Sequence, residues 1–578
     1  MALFEFTDAD ELGKVISVDS ASVVVQISDL QRLQNLQVNR LVVLESHKAG
    51  QSLIGVVNKI TRRAIDEPDG FDLDTVTSSE LTLSRVTLIG TLLDRSGIEE
   101  NVFRRTLETV PDIDARCFPL EGERLSAFMR VISSSKDDTT SLNIGTYTLD
   151  DSADAYINGN KFFQRHSVIV GSTGSGKSWT TTRIIEQMAT LRNPNAVVLD
   201  IHGEYANLTH KSIRHFKIAG PGDLDRARSL EEGVLFLPYW LLGYEALTII
   251  FVDRSDQNAP NQAMLISRSV TDAKKTYLSE RSLDDVLKYF TVDSPVPYSL
   301  DAVVAQLEAL DSEMVPGAKP GTEKQGEFHG RLSRLIVRLR NKISDRRYGF
   351  LFSPPASTLE YDWLPRFASL LVGGSLTHKG QDGGIKIVDF SDVPSDVLPL
   401  IVSLIARVIF EVQQWSSHDR RHPVALLCDE AHTYISERES SGSPDSAAQT
   451  FEKIAKEGRK YGVGLVVISQ RPSEVNRTVL SQCNNFVAMR LTNSEDQGVI
   501  RRLMPDSLGA FADLLPVLDV GEALVVGDAS LLPSRVRIAP PSQVPTGGTL
   551  PFWDRWGSES DTSQIAEAVE SWRRQMQP

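Results

Sequence analysis

Residues 167–178 read SVIVGSTGSGKS, and this stretch decides the fold. An apolar run, 168–170, enters a glycine-rich loop at 171–176, and Lys177 and Ser178 follow at the start of a helical pattern. The spacing is G-x-x-x-x-G-K-[ST] between a strand and a helix. Glycines let backbone N–H groups wrap around a polyphosphate, and the helix start adds its positive dipole end. The stretch therefore predicts a nucleotide site.

The residue types of this loop assign individual roles. Lys177 is expected to reach the β- and γ-phosphates, and the Ser178 hydroxyl is expected to ligate Mg²⁺. ATP and Mg²⁺ are thus the predicted cofactors. The predicted nucleotide-binding residues are Gly171, Ser172, Thr173, Gly174, Ser175, Gly176, Lys177, Ser178 and Trp179.

Size and composition predict a globular protein of two or three domains. The chain has 578 residues, a net charge of −15 and three widely separated cysteines. The acidic balance restricts any DNA contact to local surfaces, and the cysteine spacing excludes a disulfide framework or zinc site. Residues 1–13 lack a signal-peptide pattern, and the apolar run 397–410 contains Ser403 and Arg407. We therefore expect a cytoplasmic protein without a membrane span.

The N-terminal region predicts a small β-barrel. Short β-branched runs separated by polar turns fill residues 13–65, and further runs follow at 81–93. No chemical constellation stands out there, which favours a structural or assembly domain. Oligonucleotide binding is the alternative, since small barrels also serve that purpose. Residues 133–140 are polar and are typical of a linker.

Acidic residues follow two predicted buried strands. Asp200 and Glu204 come after the strand 196–199, and Asp429 and Glu430 directly follow 424–427. Such positions lie at the ligand edge of an open α/β sheet. Asp429 is expected to hold Mg²⁺ through water, and Glu430 to polarise the attacking water. Asp200 or Glu204 is an auxiliary candidate for Mg²⁺ or water, with a capped turn as the alternative.

Two further polar residues complete the predicted chemistry. Gln470 ends the strand 464–470 and is placed to sense the γ-phosphate. Arg459 lies on the preceding helix and is a candidate arginine finger across a subunit boundary, although a surface salt bridge is the ordinary explanation for one arginine. More than 240 residues separate Lys177 from Asp429, so a helical region is inserted into the sheet domain.

The inserted region carries one cationic helix face. Apolar residues form one stripe of this helix, and a second stripe holds Arg331, Arg334, Arg338 and Lys342. A cationic face suits phosphates, but a solvated or salt-bridged face is the more common explanation.

Taken together, the motifs resemble those of the HerA family within the FtsK–HerA branch of DNA-pumping ATPases. The matching stretches are RHSVIVGSTGSGKS, VVLDIHGEY, ALLCDEAH, EGRKYGVGLVVISQRPSE and GEALVVGDASLLPSRVRI, in order along about 165–540. The resemblance implies an α/β fold: a RecA-like core with a helical insertion, behind an N-terminal barrel. The implied domains are a barrel at 1–135, an ATPase at 141–540 with its insertion at about 221–380, and a tail at 541–578.

The same resemblance implies a mechanism and partners. A homo-hexamer would pass duplex DNA through its central channel, using ATP hydrolysed between subunits. Lys177, Ser178, Asp429, Glu430 and Gln470 would act in cis, and Arg459 and Arg165 in trans. The tail would brace the adjacent subunit.

Effector partners are likewise implied by the family. NurA-like or other nucleases, or a sirtuin-like NAD-hydrolase in anti-phage defence, would have to be separate chains, because no such motif occurs here. Lys324 and Arg331 in the insertion are the first candidates for gripping DNA. The alternative is an ATP-binding scaffold that assembles an effector without translocation. A secretion coupling ATPase is disfavoured by the missing membrane anchor.

Overall fold

The structure is a computed structural model. It describes residues 3–27, 37–38, 40–64, 80–97, 99–133, 141–225, 230–253, 255–319, 321–373, 384–437, 446–504, 512–547, 551–557 and 564–574. The predicted linker at 133–140 therefore lies almost wholly outside the described residues.

The N-terminal region is a closed six-stranded barrel, which confirms the predicted architecture. Along the sheet the order is β2-β1-β7-β3-β4-β5, β2 pairs back to β5, and β6 adds to β5 outside the ring. The strands are β1 (Gly13–Asp19), β2 (Ser22–Ile27), β3 (Leu41–Glu45), β4 (Gln51–Ala64), β5 (Glu80–Ser96), β6 (Glu99–Arg104) and β7 (Arg116–Pro119).

Alternation of buried and exposed side chains explains this closure. In β2 the residues Val23, Val25 and Ile27 are buried, and they join an apolar cluster inside the barrel. A strand with period-two burial presents one face to a core and the other to solvent. Helix α1 (Gly122–Ser133) follows, and its Phe128 packs edge-on against Phe103 of β6.

The domain that follows the barrel, predicted to be an ATPase, is built on a twelve-stranded sheet. Its order is β13-β12-β16-β11-β17-β18-β10-β19-β20-β21-β8-β9. The strands are β8 (Ser141–Tyr147), β9 (Asp150–Asn158), β10 (Ser167–Val170), β11 (Ala196–Asp200), β12 (Ile213–Ile218), β13 (Val234–Leu235), β16 (Ile385–Asp389), β17 (Val424–Cys428), β18 (Val463–Ser469), β19 (Asn485–Met489), β20 (Glu522–Gly527) and β21 (Ser534–Ile538).

The strands from β13 to β19 run parallel. Every residue of β10, β11, β17 and β18 is buried, as expected where helices cover both faces of a sheet. One strand, β18, separates the glycine-loop strand β10 from the acidic strand β17, and this order defines a RecA-like core. We call the two ends of the parallel strands the carboxyl edge and the amino edge.

Helices complete the core and the insertion. The core helices are α2 (Gly159–Gln164), α3 (Lys177–Ala189), α11 (Leu398–Trp415), α12 (Ser446–Tyr461), α13 (Arg477–Gln482) and α14 (Ser494–Leu503). The insertion carries α4 (Tyr244–Phe251), α5 (Ala259–Glu280), α6 (Asp284–Tyr289), α7 (Leu300–Asp311), α8 (Ser333–Ser344), α9 (Gly349–Phe352), α10 (Trp363–Ala368) and a hairpin of β14 (Met314–Pro316) and β15 (Glu323–Gln325).

Helix α11 is the one described helix long and apolar enough to cross a membrane by length and composition. It packs against α12, and Ile401, Ile405 and Ile409 are fully buried in the main apolar cluster. The apolar run at 397–410 thus forms a helix of the protein core.

The C-terminal region begins by returning to the ATPase domain. After β21, residues 539–547 run along the described core, and Ala539 N–H donates to Ile144 O at 2.9 Å. Two short helices follow, α15 (Phe552–Trp556) and α16 (Gln564–Arg574). Their aromatic residues Trp553, Trp556 and Trp572 are each more than 70% exposed.

Candidate nucleotide site

The glycine-rich loop has the backbone of a phosphate cradle. Gly174 and Gly176 have φ values of +75° and +110°, which side-chain-bearing residues rarely adopt. A Cβ on Gly176 would also lie 2.9 Å from the Met489 side chain. The N–H groups of Thr173, Gly174 and Gly176 donate to no described group. These free donors at the start of α3 suit an anionic ligand.

Lys177 lies inside this cradle. Its side chain is nearly buried, and its Nζ lies 3.5 Å from the carbonyl oxygen of Ser172. Burial lowers the pKa of Lys177, while the charges of Glu430, Asp429 and Glu204 act in the opposite direction. The ammonium therefore has acidic residues on one side and the open loop on the other. Trp179, two residues on, is 44% exposed and free to contact a ligand.

The turn after β11 separates the two auxiliary candidates. The carboxylate of Asp200 accepts hydrogen bonds from the N–H groups of Glu204 and Tyr205, both at 2.9 Å. Asp200 therefore holds the turn, as the capped-turn alternative predicts. Glu204 faces the loop instead, because Ser178 Oγ donates to Glu204 Oε2 at 2.5 Å. Of the two, Glu204 is the one that contacts a predicted magnesium ligand.

Asp429 is a buried acid among other acids. It follows β17 and is 4% exposed. Burial raises its pKa well above the usual range, and the charges of Glu430, Glu204 and Asp200 add to that rise. Burial likewise raises the pKa of Asp200 to about 6. Mutual repulsion between buried carboxylates is relieved when a cation enters.

These residues fit a magnesium ion. A serine hydroxyl and a carboxylate are hard oxygen donors, and Mg²⁺ is usually bound by one or two such groups together with phosphates and water. The described residues form no group of three or more His, Cys, Asp or Glu side chains that holds a metal by itself. Ser178 and Asp429 would hold the ion, which would neutralise phosphate charge.

Glu430 adopts a conformation that is unusual for its type. Its φ and ψ are both 44°, in the left-handed region, and such backbone strain occurs mainly at functional sites. Its Oε2 is buried and accepts no hydrogen bond from a described group. His432 Nδ1 lies 3.3 Å from this oxygen. A buried carboxylate oxygen with a free lone pair suits a water-activating base.

Gln470 lies beside the glycine loop at the end of β18. Thr173 Oγ1 donates to Gln470 Oε1 at 2.8 Å. Ser469, one residue earlier, lies 3.3 Å from His432 Nδ1 through its Oγ, and the same Oγ accepts from Arg471 N–H at 3.0 Å. The end of β18 therefore contacts both the loop and the neighbour of Glu430.

The two predicted trans arginines lie at the amino edge. Arg459 is in the last turn of α12, exposed, and forms no ion pair with any described residue. Arg165 directly precedes β10 with His166, and its guanidinium pairs with Asp528 at 2.8 Å. Burial lowers the pKa of His166 to about 4, and the charge of Arg459 contributes, so these groups are neighbours. Strands β10 and β18 separate both arginines from the glycine loop of the same chain.

Sequence reasoning missed two residues of the site. The first is His432, which contacts Glu430. Its position three residues after Asp429 is the only sequence signal that indicated it. Arg490 follows β19, and its carbonyl accepts from Ser172 N–H at 2.8 Å. Its Nε is buried without a hydrogen-bond partner among the described residues. No motif marked it, since the pairing of β10 with β19 brings it to the loop.

Fold and site together define a P-loop ATPase with a RecA-like core. Comparison with known proteins is more specific: residues 142–409 match the family model described as helicase HerA, central domain. A probable DNA double-strand break repair helicase HerA of Methanocaldococcus jannaschii is 26% identical over 430 residues, 69% of this chain and 76% of that protein. The DNA double-strand break repair helicase HerA of Saccharolobus solfataricus is 24% identical over 385 residues, 65% of this chain and 64% of that protein.

Residues 142–409 therefore carry the central domain of the HerA helicase family, and the chain is an ATP-hydrolysing enzyme. Asp429, Glu430, Arg459 and Gln470 lie beyond the matched range. Among solved structures, the bacterial conjugative coupling protein TrwB aligns with 73% of this chain and 94% of its own, at 14% identity and a TM-score of 0.44.

Proposed function

We propose that this protein is an ATP-driven motor that assembles as a homo-hexameric ring and moves duplex DNA through its centre. One observation carries the proposal. The acidic nucleotide site lies at the carboxyl edge, whereas Arg459 and Arg165 lie at the amino edge of the same sheet. A site with an arginine finger is complete only when a neighbour presents its amino edge. Head-to-tail contacts of this kind close into rings.

The residues of each edge have separate tasks in hydrolysis. Free N–H groups of the loop and the Lys177 ammonium bind and orient the phosphates. Glu430 accepts the proton of the attacking water at its unoccupied Oε2. Gln470, bonded to Thr173 of the loop, reports the state of the γ-phosphate to β18. Arg459 of the adjacent subunit stabilises the charge that develops in the transition state.

DNA contact belongs to the helical insertion in this proposal. Helix α8 presents Arg334, Arg338 and Lys342 along one face, next to Arg347. Two of these cations are already paired, Arg338 with Asp253 and Arg347 with Asp345. Lys324 lies exposed on the β14–β15 hairpin, and Arg331 is exposed just before α8. Phosphate contacts of this kind hold DNA without reading its sequence.

A separate effector enzyme completes the proposed system. The relatives carry the name of DNA double-strand break repair helicases. The sequence has no nuclease or NAD-hydrolase motif, so a nuclease, NurA-like or other, or a sirtuin-like NAD-hydrolase would be another chain. DNA end processing and anti-phage defence are the two settings that such a pair would serve.

ATP turnover with and without blunt-ended duplex DNA, at low salt, tests the proposal. We expect DNA to stimulate turnover, with the effect falling as salt rises because phosphate contacts release counterions. A joint Lys324→Ala and Arg331→Ala variant should lower the stimulation and leave basal turnover unchanged. Turnover indifferent to DNA would instead favour an ATP-dependent scaffold, in which the ring assembles an effector without translocation.

A further inference from the structure

The segment Ser542–Gly547, which leaves β21, lies over the turn that carries Glu204. Thr546 N–H donates to Glu204 O at 2.7 Å, and Thr546 Oγ1 donates to Gly203 O at 2.9 Å. The tail therefore binds the backbone of the same turn whose side chain contacts Ser178.

Two residues anchor the other end of this segment. Ser542 N–H and Gln543 N–H donate to the carboxylate of Glu186 at 3.1 and 2.9 Å. Gln543 also accepts from Thr209 N–H at 2.7 Å. Glu186 lies on α3, the helix that begins at Lys177. The segment thus bridges the loop helix and the Glu204 turn within one subunit.

Gly547 makes the closest approach to the site. A Cβ at this position would lie 2.5 Å from both Cδ and Oε1 of Glu204. Its backbone is not in the left-handed region, so alanine would be compatible with the main chain. The glycine is needed for space: its missing side chain is what lets the Glu204 carboxylate remain against the Ser178 hydroxyl.

We propose that residues 542–547 are a positioning element for the magnesium site. The segment fixes the turn through Thr546 and leaves room for Glu204 at Gly547. Glu204 then accepts the hydrogen bond that the Ser178 hydroxyl donates. This orientation directs the lone pairs of the hydroxyl oxygen toward the cation position. The tail of each subunit thereby sets magnesium-dependent nucleotide binding in that same subunit. This inference rests on the proposed nucleotide site and needs neither DNA nor a ring.

The test is Gly547→Ala, measured as the affinity of a fluorescent ADP analogue with and without Mg²⁺. The added methyl displaces the Glu204 carboxylate, so the gain in affinity from Mg²⁺ should fall about 3- to 10-fold, while the Mg²⁺-free affinity stays unchanged. Manganese binding in the presence of ADP, followed by electron paramagnetic resonance, should weaken in parallel. Gly557→Ala is the matched control, because a Cβ there meets nothing closer than 3.5 Å.

Two outcomes would overturn the proposal. One is a folded Gly547→Ala protein with the wild-type Mg²⁺ effect. The other is an equal loss of affinity with and without Mg²⁺, which would indicate damage to the whole site. Glu204→Gln should reproduce the selective loss, since it weakens the acceptor of the Ser178 proton. The motor proposal fails separately, through DNA-indifferent turnover, which leaves these binding measurements unaffected.

Discussion

The carboxyl and amino edges of the central sheet have opposite chemistry. The carboxyl edge gathers Asp200, Glu204, Asp429 and Glu430, and burial with mutual repulsion raises the pKa of Asp200 and Asp429. The amino edge holds Arg165, Arg459 and the fully buried Lys386. Acidic side chains therefore gather at one edge of the sheet, and basic side chains lie at the other.

In the proposed ring, this difference would make the site of a single subunit incomplete. The glycine loop, the proposed base and the proposed magnesium ligands lie together within the chain, whereas the arginines lie across the sheet from them. Within the chain, Arg165 pairs with Asp528, which also accepts a hydrogen bond from Asn484. We expect the amino edge of one copy to supply the cations that the carboxyl edge of the next lacks.

The largest expected effect comes from a substitution at the carboxyl edge itself. Lys177→Ala removes the buried ammonium among three carboxylates and the phosphate contact it offers. ATP turnover should fall at least about 10³-fold, in a steady-state phosphate-release assay. Unfolding temperature serves as the folding control, and turnover close to wild type in a folded variant would mean that the loop does not hold the nucleotide.

Arg459→Ala tests whether the amino edge acts on a neighbour. Loss of an arginine finger should lower turnover about 10³-fold. Lys456→Ala is the matched control on the same helix, since its exposed ammonium pairs with Glu452 and should leave turnover near wild type.

Mixed rings make this test decisive. Glu430→Ala subunits keep Arg459, and Arg459→Ala subunits keep the base, so co-expression restores complete sites at roughly a quarter of random interfaces. Turnover of the mixture should exceed that of either variant alone. A mixture that merely averages the two would place Arg459 and Glu430 in independent sites.

His432→Ala sharpens the description of the carboxyl edge. His432 Nδ1 lies 3.3 Å from Glu430 Oε2, and it also contacts Ser469 at the end of β18. Its loss should lower kcat about 10-fold through misplacement of the base, with KM changing less than about 2-fold. His432→Gln, which keeps a polar side chain at this position, should recover part of kcat. An unchanged kcat for the alanine variant would make the contact incidental.

The residues of the carboxyl edge were not equally predictable from the sequence. Positions at the carboxyl edge follow short apolar runs, so local spacing alone predicts that Lys177, Ser178, Asp429 and Gln470 belong to the site. His432 and Arg490 were not, because their importance depends on which strands become neighbours.

The tail and the β8–β9 hairpin show the same limit. Residues 141–158 carry a strand alternation, but only the pairing of β8 with β21 places them in the ATPase sheet. A brace on a neighbouring subunit was expected of the tail, and that prediction remains for α15 and α16. Contacts of residues 542–547 with their own subunit involve Glu186 and Thr209, more than 300 positions away. Local sequence carries no sign of pairs so distant.

The smallest expected effect concerns Lys386. Its substitution tests whether this amino-edge cation stabilises the fold or takes part in turnover. Its Nζ donates to Asn195 Oδ1 at 2.6 Å and Gly384 O at 2.9 Å, and burial lowers its pKa to about 7. Between about pH 7 and 10 the unfolded chain binds the extra proton, so the free energy of unfolding should rise with pH, by at most ~1.4 kcal/mol per pH unit. Lys386→Met should flatten this dependence in thermal unfolding, whereas Lys453→Met, at an exposed site, should not. If the free energy of unfolding still rises with pH in Lys386→Met, another group titrates in this pH range. If the variant loses ATP turnover instead, Lys386 has a functional role like the one proposed for Arg459 and Arg165.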